Sequence, residues 1–176
     1  NTTGASNTGL GRAALLSNTT ASFNTAVGTD ALTSNTTGAN NTTVGYASGD
    51  ALTTGEENLA IGSNSLSAAV GSGKNTAVGA YALRNDTEGE SSVAVGHQAL
   101  NAQNFTTATS AYNVAVGANA GVSVTTGTQN TYIGGLAGDA ATASVENVAV
   151  GYQALSADTL GSKNVAVGRM ALLSQN

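Results

Sequence analysis

A 17-residue repeat runs through the chain and constrains its fold more than any other feature. Each unit begins with Asn, or Ser once, and reaches an aliphatic residue followed by Gly three and four residues later. Successive units start 17 residues apart, except for one step of 21 that places a four-residue insertion within residues 101–112. A fixed period of this kind is typical of repeats that stack along one axis. The units start at Asn7, Asn24, Asn41, Asn58, Asn75, Ser92, Asn113, Asn130, Asn147 and Asn164.

The residue types at fixed positions of the repeat indicate β-structure. We number the coil positions from the leading Asn. Position 4 is always aliphatic and mostly β-branched, as is typical of a buried strand residue. Position 5 is Gly in every unit, which indicates a positive φ or a close backbone contact. Position 4 therefore predicts the structural core, which includes Val27, Val44, Ile61, Val78, Val95, Val116, Ile133, Val150 and Val167.

We predict an all-β parallel solenoid of about ten coils, each with two short strands and a loop. Helical repeats are disfavoured, because no segment shows the apolar periodicity of a helix. Strands in adjacent coils lie roughly 4.8 Å apart, so ten coils form a rod on the order of 48 Å long. The pattern predicts one repetitive domain over residues 1–176, open at both ends, as a piece of a longer fibre.

The composition excludes several classes of function. The 176 residues include five Lys and Arg, ten Asp and Glu, one His and no Cys. Most catalytic and metal sites need more imidazoles or thiolates than this, so we expect no enzyme activity and no cofactor. Five scattered cations give no basic surface for nucleic acid. We also expect no membrane insertion, because no apolar stretch of about 18 residues is present.

Several units resemble a known family of repeats. Residues 75–83 read Asn-Thr-Ala-Val-Gly-Ala-Tyr-Ala-Leu, and residues 147–155 and 164–172 follow the same pattern. They are similar to the head repeats of trimeric autotransporter adhesins, and they look still closer to the repetitive shafts of bacteriophage tail fibres. The resemblance implies a left-handed β-roll and a homotrimer of rolls packed side by side. It also implies an extracellular location, on a virion tail fibre or a bacterial surface.

The repeat and the resemblance together predict a structural fibre segment. Such a segment serves as a rigid spacer and presents loops for attachment to a host-cell surface glycan or protein. Two alternatives stay open. One is a filament subunit that stacks through open sheet edges, and the other is a carbohydrate-binding module whose Tyr and Asn side chains line a groove.

The insertion is the best candidate for a contact surface. Loops held by a rigid scaffold often carry binding function. We therefore single out Asn104, Phe105 and Tyr112. The alternative is a tolerated loop extension, because lengthening a loop costs little free energy.

Two further sets of polar residues have alternative interpretations. Asp86, Glu88 and Glu90 alternate along one loop and are either ligands for Ca²⁺ or a solvated acidic loop. His97 is either an exposed residue of a variable position, or one of three copies that meet a metal or anion on a trimer axis.

Residues 17 apart stack directly on one another if the coil length is correct. The leading Asn residues then form either a ladder of stacked amides or plain turns. Two acid–base pairs stack in the same way, Glu57 with Lys74 and Glu146 with Lys163. Tyr152 also lies next to Arg169, which predicts a cation–π contact.

Overall fold

The chain folds into a parallel β-solenoid. The computed structural model describes residues 1–173, and the last three residues of the predicted 1–176 domain lie outside them. Coil positions 2–4 form one three-residue strand per coil, and ten such strands build one sheet in the order β1-β2-β3-β4-β5-β7-β9-β10-β11-β12. A second sheet pairs β6 with β8. The strands are β1 (Thr8–Leu10), β2 (Thr25–Val27), β3 (Thr42–Val44), β4 (Leu59–Ile61), β5 (Thr76–Val78), β6 (Gly89–Glu90), β7 (Val93–Val95), β8 (Thr109–Ser110), β9 (Val114–Val116), β10 (Thr131–Ile133), β11 (Val148–Val150) and β12 (Val165–Val167).

The strand register confirms the 17-residue coil. Thr8 pairs with Thr25, and Thr25 pairs with Thr42. The offset is 17 residues at each step of the ten-stranded sheet except one, where Val93 pairs with Val114 across the insertion. The extra residues therefore leave the main sheet continuous.

The remainder of each coil consists mainly of turns, which corrects the prediction of two strands per coil. Residues with positive φ recur at positions 7, 9 and 17, as in Tyr81 (62°), Leu83 (47°) and Lys74 (60°). A left-handed residue cannot continue an extended strand. Backbone hydrogen bonds still join these turns to the next coil, for example from Leu83 N–H to the Ala99 carbonyl at 3.0 Å.

The interior of the solenoid is narrow. Position 3 points inward and is Ala in most coils, and from Ala26 to Ala166 its residues are almost completely buried. One larger side chain usually fills the remaining space of a coil. In most coils that side chain is Leu at position 9, such as Leu32 or Leu100, each with no exposed surface.

Three coils have Gly instead of Leu at position 9. In each of them a larger side chain at another position fills the interior. Leu52 fills the coil of Gly49, and Val124 fills the coil of Gly121. In the coil of Gly138, the ring of Tyr132 lies so close that a Cβ on the glycine would be 2.5 Å from Tyr Cδ1. The filling side chain thus changes position from coil to coil.

The position-4 residues predicted as the core lie on the outer face of the sheet. Successive residues of a strand point to opposite faces, and position 3 takes the inward direction. Ile61 is 37% exposed and Val167 is 68% exposed, and the other members of the set are at least partly exposed. The core prediction was therefore wrong for Val27, Val44, Ile61, Val78, Val95, Val116, Ile133, Val150 and Val167.

The Asn residues at position 1 form a ladder of stacked amides, one of the two roles predicted for them. The Asn41 backbone N–H donates to Asn24 Oδ1 at 2.8 Å, and Asn41 Nδ2 donates to the Gly55 carbonyl at 2.8 Å. The N–H bond recurs at each step where the preceding coil has Asn at position 1. Side-chain amides thereby join each of these coils to the next.

All Gly residues at position 5 except Gly168 have both predicted properties, a positive φ and a close backbone contact with the next coil. Gly96 has a φ of 135°, a region that L-residues rarely adopt. A Cβ added to Gly96 would lie 2.6 Å from the carbonyl carbon of Gly117 in the next coil. Gly168 has a similar φ of 124°, but a Cβ there would meet nothing within 4 Å.

We expect Gly96→Ala to destabilise the solenoid more than Gly168→Ala. Gly168→Ala adds backbone strain, roughly 1–3 kcal/mol. Gly96→Ala adds similar strain and also forces the Gly117 backbone away. Urea denaturation gives the free energy of unfolding of both variants. Equal losses would show that contact between coils is not what requires Gly at position 5.

Candidate functional site

The outer surface of the ten-stranded sheet is uncharged and mainly aliphatic, with Thr at position 2 of five coils. It is formed by positions 2 and 4 of the coils from Thr8 to Val167, and we call it the apolar face. Position 4 is aliphatic in each of these coils, position 2 is Thr, Val or Leu, and neither position carries a charge. Nine steps between strands give a length of about 43 Å. Large apolar surfaces of this kind mark interaction sites.

Exposure along the apolar face is not confined to its ends. Val116 is 36% exposed and Ile133 is 39% exposed, although both lie in strands with neighbours on each side. Removing such side chains from water stabilises a contact by about 25 cal/mol per Å² of apolar area. The face therefore favours association with a surface of matching chemistry.

The insertion places its three predicted contact residues differently. Asn104 is exposed, and Tyr112 is 58% exposed. Phe105 is only 8% exposed, which corrects its prediction as a surface residue. Its ring gains more from burial than a polar side chain would. The exposed tip of the insertion is formed by residues 106–108 instead.

The three carboxylates predicted as either Ca²⁺ ligands or a solvated loop have different surroundings. Asp86 has no exposed surface, whereas Glu88 and Glu90 are partly exposed. Within residues 1–173, no group of three or more His, Cys, Asp and Glu residues is placed to hold a metal ion. The prediction of a solvated loop is wrong for Asp86, because its carboxylate is buried.

Hydrogen bonds from the protein satisfy the Asp86 carboxylate. Its Oδ1 accepts the backbone N–H groups of Gly89 and Phe105, both at 3.0 Å, and its Oδ2 accepts Gln103 Nε2 at 2.6 Å. Burial nevertheless raises the pKa of the Asp86 carboxyl, because desolvation outweighs these bonds.

Gln103 bridges the interruption of the amide ladder at Ser92. Its Nε2 lies 3.2 Å from Ser92 Oγ, and its Oε1 accepts Asn113 Nδ2 at 2.9 Å. All three residues are fully buried. The side chain thus links the coils on either side of Ser92. Asp86 and Gln103 share position 12 in the two coils before Asn113, and this shared position is the sequence feature from which their contact could have been predicted.

We expect acidification to stabilise the natural chain relative to the Asp86→Asn variant. A carboxyl whose pKa is raised by folding binds a proton more readily in the folded state. Its contribution to the free energy of unfolding therefore grows as the pH falls, and it is lost as the pH rises through the pKa of the folded state. Melting temperatures between pH 7 and pH 5 test this, with about 2–4 °C expected for each kcal/mol. Asn18 and Asn35 already occupy the same coil position. A difference between the two chains that is independent of pH would contradict the prediction.

His97 lies on the surface in a small cluster that sequence reasoning missed. Its ring centroid is 6.1 Å from that of Tyr81, at an interplanar angle of 88°. The guanidinium carbon of Arg84 lies 5.3 Å from the Tyr81 centroid. We call Tyr81, Arg84 and His97 the aromatic–basic cluster. Its members occupy positions 7, 10 and 6, so only the turn geometry brings them together.

The 17-residue register predicted for the stacked charges does not lead to salt bridges between them in the described part of the chain. Among residues 1–173, the one salt bridge joins Arg12 and Asp30 at 2.5 Å. Neither Glu57 with Lys74 nor Glu146 with Lys163 forms one there. Exposed pairs of this kind contribute little, so water competes well for both partners. The predicted cation–π contact is confirmed, with Arg169 Cζ 5.9 Å from the Tyr152 ring centroid.

Comparisons with known proteins identify no family. No family model matches the chain, and neither the curated proteins nor the solved structures gave a match. The resemblance to adhesin head repeats and tail-fibre shafts stays a prediction. The residues that the structure describes include no helix long and apolar enough to cross a membrane.

Proposed function

We propose that the chain is a structural segment of an extracellular fibre, in which three copies pack side by side through the apolar face. The observation that carries the proposal is this face, which runs along ten strands without a charge at positions 2 and 4. Hydrogen bonds between successive coils make the rod a stiff spacer. The repeats that it resembles are parts of bacteriophage tail fibres and of bacterial surface adhesins.

Along most of its strands, a rod on its own buries the small side chain at position 3 and exposes the larger aliphatic ones at positions 2 and 4. Ala115 is fully buried, whereas the adjacent Val116 is 36% exposed. Ala149 is likewise buried between Val148 and Val150, which are partly exposed. Packing another apolar face against these aliphatic residues corrects the imbalance.

A second copy of the chain matches the apolar face along its whole length. Its strands repeat at the same spacing of about 4.8 Å, so the aliphatic rows of two parallel rods stay in step. In a fibre all copies run in the same direction, and a closed ring leaves no copy with an unpaired contact. The number three comes from the resemblance, and the exposed insertion tip at residues 106–108 is available for surface attachment.

We expect Val116→Asp to convert the trimer into folded monomers. The new carboxylate would stay in water in a single rod, but it would be buried without a partner at the interface, at a cost of several kcal/mol. Sedimentation equilibrium gives the mass, and circular dichroism reports whether the solenoid is retained. A natural chain that is a stable folded monomer at micromolar concentration would overturn the proposal.

Two matched substitutions separate assembly from folding. Thr29→Asp adds the same charge at position 6, away from the apolar face, and we expect it to remain trimeric. Ala115→Asp places the charge one residue earlier, where the side chain points inward, and should prevent folding. If Val116→Asp also remained trimeric, the contact would have to lie on a different face.

A further inference from the structure

The aromatic–basic cluster is held in place by hydrogen bonds between coils. The Tyr81 N–H donates to the Ser63 carbonyl at 3.0 Å, and Asn101 Nδ2 donates to the Tyr81 carbonyl at 2.9 Å. The Arg84 carbonyl accepts the Ala68 N–H at 2.9 Å. The backbone under the cluster is therefore fixed before any ligand arrives, which lowers the entropic cost of binding.

The cluster also presents a guanidinium group that forms no salt bridge with a carboxylate among residues 1–173. Arg84 and His97 are both exposed, and Tyr81 is partly exposed between them. Arg84 takes no part in the one salt bridge found among residues 1–173. In a chain of net charge −5, a guanidinium and an imidazole around one aromatic ring form an unusual local surface. Guanidinium groups bind carboxylates through two parallel hydrogen bonds.

We propose that Tyr81, Arg84 and His97 form a binding site for a carboxylated sugar unit of a linear acidic polysaccharide. Arg84 binds the carboxylate, the exposed part of the Tyr81 ring contacts the apolar face of the sugar, and His97 hydrogen-bonds a hydroxyl group. Asn64 and Gln98 occupy the position of Tyr81 in the coils on either side, and both amides can serve further hydroxyls. The site does not depend on the fibre function.

A second aromatic–guanidinium pair favours a polymer as the ligand. Arg169 lies 5.9 Å from the Tyr152 ring centroid, and both side chains are exposed. Tyr152 lies four coils beyond Tyr81, a distance of about 19 Å along the rod. A straight chain with a carboxylate on each sugar reaches both pairs at once, and two linked contacts bind more tightly than one.

Calorimetric titration of the whole chain with trigalacturonate, which covers the aromatic–basic cluster but is too short to reach Tyr152 as well, tests the proposal. The fully methyl-esterified trisaccharide keeps the same sugar rings without the charges, and triglutamate keeps the charges without the sugar. We expect trigalacturonate to bind at least tenfold more tightly than either. Binding of triglutamate with equal affinity would overturn the sugar assignment, and no detectable trigalacturonate binding at about 1 mM would overturn the site.

Substitutions taken from the preceding coil test the residues without altering the coil pattern. Tyr81→Asn, Arg84→Ser and His97→Ala introduce the residues found at the same positions as Asn64, Ser67 and Ala80. We expect Tyr81→Asn and Arg84→Ser to weaken trigalacturonate binding at least tenfold, and His97→Ala to weaken it severalfold.

Arg12→Ser serves as the control for charge, because it removes a cation outside the cluster. It should leave the affinity within twofold of the natural chain. Equal weakening by Arg12→Ser and Arg84→Ser would show general attraction to cations and would overturn the site. The comparison between trigalacturonate and its methyl ester uses the natural chain alone, so it decides the matter even if a variant fails to fold.

Discussion

Hydrogen bonding between residues one coil apart is the interaction on which the rest of the structure depends. Three positions per coil adopt left-handed backbone conformations, and these cost about 1–2 kcal/mol each for residues other than Gly. Bonds such as Leu83 N–H to the Ala99 carbonyl offset that cost only when the next coil is in place. The amide ladder adds a side-chain bond at most steps. An isolated coil would keep the strain without the bonds, so the coils must form together.

The period of the repeat was enough to predict the solenoid and its register, because hydrogen bonding between identical units repeats with that period. It was not enough to predict which side of the strand faces inward. Val95 and Ala94 are both apolar, and hydrophobicity alone favours burial of the larger one. The narrow interior reverses that choice, since most coils accept only Ala at position 3. The turns determine how wide the interior is. Apart from Gly, the residues that adopt left-handed conformations in these turns are of many types, so the sequence does not reveal them.

The candidate sites were predicted less well for a related reason. Position 12 looks variable in the sequence, yet Asp86 and Gln103 meet in the interior because their coils are adjacent. The aromatic–basic cluster combines three different coil positions on two coils, so no single column of the repeat reveals it. The Tyr152–Arg169 contact was predictable because both residues share one position and stack directly.

The varied filling of the interior has a consequence for folding fidelity. Strands of nearly identical sequence can pair with the wrong neighbour, shifted by one full coil, without losing backbone hydrogen bonds. Tyr132 fits against Gly138 and Gly121, whose missing side chains leave room for its ring. A shift of one coil would pair β10 with β7 instead of β9 and set that ring against the coil that contains Leu100. The irregular residues thereby give each coil a distinct partner, and they allow a repetitive chain to reach a single alignment.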